Sequence, residues 1–177
     1  MEYDVGSIVR EKTCCFTGHR PNKLYGYDRN SEGNRTLRDR IREAIVFHIE
    51  EYGVDTFVSG MALGVDMWAA LEVIRLKKER PHIKLVAAIP CLRQWAKWNP
   101  QDVLLWRRIL ERCDLVHMVT NEEYTPSCMQ RRNMWMVDRS ARMIAVYDGS
   151  KSGGTYNCLE YAKHQKLHIC IIDPKQA

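Results

Sequence analysis

Short apolar runs alternate along the chain with longer segments whose apolar residues return at the helical period, and that alternation predicts the fold. Thr13 to Phe16 reads as a first strand, ending at Thr17-Gly18-His19-Arg20-Pro21. After a polar loop, Asn34 is placed to cap a helix whose apolar positions are Leu37, Ile41, Ile45, His48 or Ile49, and Tyr52, with Gly53 as its stop. Thr56 to Ser59 is a second strand, followed by a helix from Gly64 to about Arg80 that stops before Pro81. Lys84 to Ile89 is the third strand. Asn99-Pro100-x-Asp102 supplies the cap, the proline and the first-turn acid of a helix running to about Arg112. Leu115 to Val119 is strand four, and Ser127-x-x-Gln130 has the form of a capping box opening a helix to about Arg142. Met143 to Tyr147 is strand five, Thr155 to about Lys166 a last helix, and His168 to Ile172 strand six.

These strands are apolar throughout, not alternating, as expected of a parallel sheet covered on both faces. The expectation is a single α/β domain over residues 1–177, Rossmann-like and doubly wound. It has a mainly parallel six-stranded sheet with helices on both faces, no linker and no internal repeat. In such sheets ligands lie beyond the carboxyl ends of the strands, where strand order reverses. The unusual residues cluster in four such loops: TGHRP, SGMALGVD at 59–66, IPCLRQWAKW at 89–98 and DGSKSGGT at 148–155.

Composition narrows the class. A chain of 177 residues buries roughly 70% of its unfolded surface in one core. Its 45% hydrophobic and 28% charged content is that of a soluble globular protein. No apolar run approaches the roughly 20 residues that span a bilayer, and MEYDVGSIVREK at the start lacks a signal-peptide core. The seven cysteines are odd in number, scattered and without a C-x-x-C pair, so a reducing cytoplasm is expected, with no disulfide framework and no metal site. The formal charge of +5 allows nucleic acid as a partner without favouring it, because Lys and Arg are interleaved with acids throughout, as in Arg38-Asp39-Arg40.

The loops suggest chemistry. Gly60 and Gly64 permit close approach of a ligand to bare backbone at a strand-to-helix turn. Asp66 falls in the first helical turn, where it complements the helix dipole or accepts hydrogen bonds from ribose hydroxyls; a carboxylate repels a phosphate set beside it. Ser152-Gly153-Gly154-Thr155 is the better phosphate candidate, because two glycines lead directly into a helix start. Gly18 precedes His19 and Arg20, and Arg20 is suited to a bidentate phosphate contact. Arg131 and Arg132 fall in the first turn of their helix, the wrong end for positive charge, so either Glu122 and Glu123 or a ligand must compensate them. Asn133 is suited to reading a base or ribose, and Asp138 to an ion pair with Arg142 four residues on. Trp98 is open to stacking on a base or to packing in the core.

Phe16-Thr17-Gly18-His19-Arg20-Pro21, Ser59 through Asp66, Ile89-Pro90-Cys91 with Gln94 and Trp98, Arg132-Asn133 with Met136-Val137-Asp138, and Ala145 through Asp148 with Gly153-Gly154-Thr155 run in one order along nearly the whole chain. In these the chain resembles the YpsA-like family of the SLOG superfamily, which also holds the LONELY GUY phosphoribohydrolases and DprA-like DNA-processing proteins. The resemblance implies a Rossmann-like fold, a tendency to form homodimers or higher homo-oligomers, and binding of a nucleotide-derived ligand of the ADP-ribose, NAD or nucleoside-phosphate class. It implies a sensor or regulator with no settled reaction, adds Ser59 and Gln94 to the expected site, and favours a ligand as the partner of Arg132. The LONELY GUY enzymes carry Pro-Gly-Gly-x-Gly-Thr-x-x-Glu. Here Cys158 stands where that glutamate would, and Glu160 lies two residues further, about 200° around a helix. Ligand binding therefore ranks first, N-glycosidic hydrolysis or transfer second, and single-stranded DNA binding third.

Overall fold

The apolar runs form strands β1 (Thr13–Gly18), β2 (Thr56–Ser59), β3 (Lys84–Ile89), β4 (Leu115–Met118), β5 (Arg142–Val146) and β6 (His168–Ile172). The helical patterns form α1 (Glu32–Tyr52), α2 (Val65–Lys77), α3 (Pro100–Glu111), α4 (Cys128–Asp138) and α5 (Gly154–His164). The structure is a computed structural model describing residues 2–176, so Met1 and Ala177 of the expected 1–177 domain lie outside it. All strand pairs are parallel, in the order β4-β3-β2-β1-β5-β6. This is the α/β, Rossmann-like fold that the alternation predicts.

The chain leaves β1 toward β2, β3 and β4 on one side, then crosses to β5 and β6 on the other. The order therefore reverses between β1 and β5, and that is where the fold opens a crevice. Both faces of the sheet are covered. Phe16, Phe57, Leu85 and Ile144 meet α1, α2 and α3 in one apolar layer. Cys15, Val58, Ala88 and Ala145 meet α4 and α5 in the other. Phe16 and Phe57 stack across β1 and β2 with ring centroids 5.8 Å apart. Each such fully buried aromatic contributes about 1.5–3 kcal/mol relative to an exposed one. Five of the seven cysteines, at 14, 15, 91, 128 and 158, are buried members of this interior.

Several local expectations give way to tertiary contacts. Ser31, not Asn34, caps α1. Asn34 is fully buried; its amide donates to the carbonyls of Gly26 (2.9 Å) and Asp28 (2.8 Å) and so ties down the preceding loop. Tyr52, on the helical period of the core positions, is 44% exposed and lies beneath the Arg142 guanidinium, 3.4 Å from the ring centre. α2 ends at Lys77, short of Arg80. The capping box at Ser127 does not form: Ser127 has helical backbone angles, φ −97° and ψ −8°, and no side-chain cap bond. The helix it opens ends at Asp138, so Arg142 begins β5 and the pairing of Asp138 with Arg142 is absent. Asp138 instead accepts the Tyr161 hydroxyl at 2.6 Å. The Asn99 cap on Asp102 N–H, at 2.9 Å, is as expected.

Candidate functional site

At the switch between β1 and β5 lies a cavity of about 460 Å³, within the range of small-molecule sites. Its walls come from the segments that follow β1, β2, β4 and β5 and from the starts of α2, α4 and α5. β1 delivers Gly18, His19 and Arg20, the β2 turn Asp66, α4 Arg132 and Asn133, and the β5 loop Gly153, Gly154 and Thr155. Nine of the fourteen expected site residues are thus brought to one cavity.

Gly64 makes the β2 turn. Its φ of +90° is a conformation that only glycine holds without strain, and a Cβ there would sit 2.6 Å from the His19 carbonyl oxygen. That carbonyl accepts Val65 N–H at 3.4 Å, and the Ala62 carbonyl accepts Met67 N–H at 3.3 Å. The start of α2 is therefore occupied by the protein's own carbonyls. The start of α5 is different: Gly153 is its N-cap without a side-chain cap bond, and among the described residues no acceptor meets the N–H groups of Gly154, Thr155 or Tyr156. These N–H groups lie at the positive end of the helix dipole, and Gly154 and Thr155 among them line the cavity.

Arg132 is the buried cation of the site, 5% exposed. Its Nη1 donates to the Gly60 carbonyl and its Nε to Asn133 Oδ1 at 3.0 Å. Gly60 is glycine for a steric reason, because a Cβ would fall 2.4 Å from this guanidinium. The compensation expected from Glu122 and Glu123 is absent: Glu123 pairs with Arg93 at 3.1 Å. Among the described residues no carboxylate oxygen lies within 4.0 Å of the Arg132 nitrogens. Burial pulls the Arg132 pKa down, opposed chiefly by the charge of Asp66.

Asp66 is 6% exposed; one of its oxygens accepts Ala62 N–H at 3.3 Å, and the residue lines the cavity. Burial raises its pKa above the usual aspartate range, with Arg132 the main opposing influence. A carboxyl whose folded pKa lies above its unfolded value of about 3.9 costs stability once the pH exceeds that value. Asp66→Asn, whose amide oxygen can still accept the Ala62 N–H, is expected to raise Tm near neutral pH, with the gain vanishing below about pH 3.9. Thermal melts across that range check it, and an unchanged neutral Tm contradicts it.

His19 is buried, with Nε2 3.0 Å from Asp148 Oδ1 and 3.2 Å from its backbone N. The Ser150 hydroxyl and N–H, followed by His19, hold the Asp148 carboxyl well below the usual range. This group fixes the β5 loop to the end of β1. Asn133 is equally committed: its Oδ1 accepts from Arg132 and its Nδ2 donates to Gln130 at 3.4 Å. It orients the arginine and keeps one Nδ2 hydrogen for a further acceptor.

The other expected residues lie behind the wall or away from it. Ser59, fully buried, accepts Met61 N–H at 3.2 Å and donates to the Asp66 carbonyl at 2.8 Å, which shapes the turn. Gln94 donates to the Gly60 carbonyl at 3.0 Å and accepts the Trp106 indole N–H at 3.1 Å. Arg132 and Gln94 thus hold one carbonyl from two sides. Trp98 is partly buried against the core and does not line the cavity, so packing is its role. The 89–98 loop as a whole is absent from the lining because it leads to α3 on the face of α1 and α2, whereas the loop after β4 leads to α4, which packs beside α5 on the other face. In its place stands the β4–α4 loop with Tyr124 and Pro126, together with Lys23, Gln130 and Asn157, none of them expected. The rule that marked the other strand ends applies equally to the end of β4. Cys158 is fully buried and outside the lining, its pKa pushed up to about 11 by burial; Glu160 is exposed and paired with Lys163 at 3.2 Å.

The order of strands and the cavity at its reversal define a Rossmann-like α/β protein with an open cavity at its topological switch point. Among known proteins, the family model described as the YspA SLOG family (YpsA) matches residues 14–176. The chain belongs to that family. A UPF0398 protein of Halalkalibacterium halodurans is 32% identical over 156 residues, covering 88% of this chain and 82% of the relative. The SPbeta prophage-derived protein YoqJ of Bacillus subtilis is 38% identical over 142 residues, covering 74% and 82%. DNA processing protein A of Helicobacter pylori, solved in a study of its single-stranded DNA binding mode, superposes with a TM-score of 0.63 at 17% identity, covering 95% of this chain and 68% of that one. The Streptococcus pneumoniae DprA gives 0.60 at 15% identity, covering 91% and 50%. At such identity these two show a shared fold.

Proposed function

We propose that the cavity binds a nucleotide-derived ligand of the ADP-ribose, NAD or nucleoside-phosphate class, in a binding or sensing role. The observation that carries this reading is Arg132: a guanidinium buried without a carboxylate in reach, bordering the same cavity as the unmet N–H groups of α5. A phosphate set between them meets both needs. Arg20 and Lys23, both exposed at the rim, add positive charge. Asp66, in the same lining, accepts ribose hydroxyls.

A thermal-shift screen of ADP-ribose, NAD and nucleoside monophosphates tests this. At a tenfold excess over its dissociation constant a ligand adds about 1.4 kcal/mol. Chromatography of the same wells is expected to recover the ligand intact; free base would favour N-glycosidic hydrolysis. An unchanged Tm with every ligand would count against the proposal. A second reading, single-stranded DNA binding, rests on the DprA-like fold together with the exposed Arg20, Lys23 and Tyr124 at the cavity. It predicts affinity for oligonucleotides that falls steeply with salt.

A further inference from the structure

The cavity lining combines polar groups, from Arg132, Asp66 and the start of α5, with the apolar side chains of Tyr124, Pro126 and Met129, whose Sδ lies 3.9 Å from Arg132 Nη2. Tyr124 is 65% exposed, and among the described residues its hydroxyl has no hydrogen-bond partner and its ring no aromatic or cationic one. The three tryptophans of the β3–α3 segment are engaged: Trp98 packs on the core, the Trp95 ring carries Arg107 at 5.5 Å, and the Trp106 indole is bonded to Gln94. Among the described residues Tyr124 is the one Phe, Tyr or Trp lining the cavity. Gln130, also in the lining, uses its Oε1 on Asn133 and keeps its NH2 group for a further acceptor.

We infer that Tyr124 is the base-stacking residue of this cavity, so that the ligand is a 5′-nucleotide held through its base as well as its phosphate. The inference rests on the nucleotide reading above and narrows it. A tyrosine ring lends a wide flat face with few rotatable bonds, and an unpaired face in a cavity that also offers phosphate ligands matches a nucleobase. The Gln130 amide lies in the same lining for contact with the base edge.

Isothermal titration of wild type, Tyr124→Ala and Tyr124→Phe with AMP and with ribose 5-phosphate separates the parts. AMP suffices as the probe because stacking on an aromatic ring tolerates any base. Wild type is expected to bind AMP about tenfold or more tighter than ribose 5-phosphate. Tyr124→Ala is expected to bring AMP down to the affinity of the sugar phosphate, whose own binding is unchanged, and Tyr124→Phe to retain the wild-type preference. AMP binding equally well to wild type and Tyr124→Ala, or no tighter to wild type than ribose 5-phosphate, overturns the stacking role and leaves the phosphate site standing. Binding of neither compound to wild type overturns both.

Discussion

Arg132→Ala is expected to abolish measurable nucleotide binding while leaving the fold in place. The guanidinium is held by the Gly60 carbonyl and Asn133 Oδ1 within the cavity wall, so it meets a phosphate without being ordered first. Removing one partner of a buried charged pair costs about 2–5 kcal/mol, which corresponds to roughly 30- to several-thousandfold in affinity. The fold survives because the Gly60 carbonyl keeps its bond from Gln94, and because burial of the charge disfavours the guanidinium in the first place. Arg132→Lys keeps the charge but loses the planar fork that serves both acceptors, so its affinity is expected to fall between the two. Calorimetry with the ligand found in the thermal screen, and circular dichroism of the same samples, check both halves. Wild-type affinity in Arg132→Ala would remove the arginine from the site.

Gly64→Ala is expected to be the most damaging single methyl. The added Cβ would lie 2.6 Å from the His19 carbonyl oxygen and 3.0 Å from Pro21 Cδ, at a φ of +90°. Backbone strain of about 1–3 kcal/mol adds to overpacking of about 1–3 kcal/mol. A chain of this size loses about 2–4 °C in Tm for each kcal/mol, so a fall of roughly 10 °C is expected. Gly149→Ala is the control: φ is +89°, with nothing within 4 Å of the added atom, so only the strain remains. Thermal melts of the two variants compare them directly. Equal losses would show that contact with the His19 carbonyl is immaterial.

What the sequence discloses follows the range of each interaction. Strands buried on both faces must be apolar throughout, so β2 and β3 are legible end for end, and the Asn99 cap is legible because every group in it lies within four residues. The Ser127 cap fails because it needs an extended backbone at Ser127, and the loop from β4 delivers a helical one. Asn34 looks like a cap but serves loop carbonyls six and eight residues back, a geometry no local pattern encodes. The site divides in the same way. Gly18, Asp66 and Gly153 mark strand ends that any alternating α/β chain reveals. Which ends meet depends on the face each helix takes: α3 packs with α1 and α2 and carries the 89–98 loop away, while α4 packs beside α5 and brings in Tyr124 from a loop without glycine or periodicity. Gln94 and Ser59 belong to the motifs because they build the wall, through the Gly60 carbonyl and the Asp66 carbonyl, not because they face the cavity.

The central claim is that a phosphate-bearing nucleotide sits between Arg132 and the start of α5. Amide chemical shifts followed while AMP is titrated into the isotope-labelled protein test it most directly. The account predicts saturable shifts concentrated at Gly154, Thr155 and Tyr156 and at the Arg132 side-chain N–H, with the amides of β3 and α3 unmoved. Shifts confined to surfaces outside the cavity, or none at saturating ligand, would contradict it.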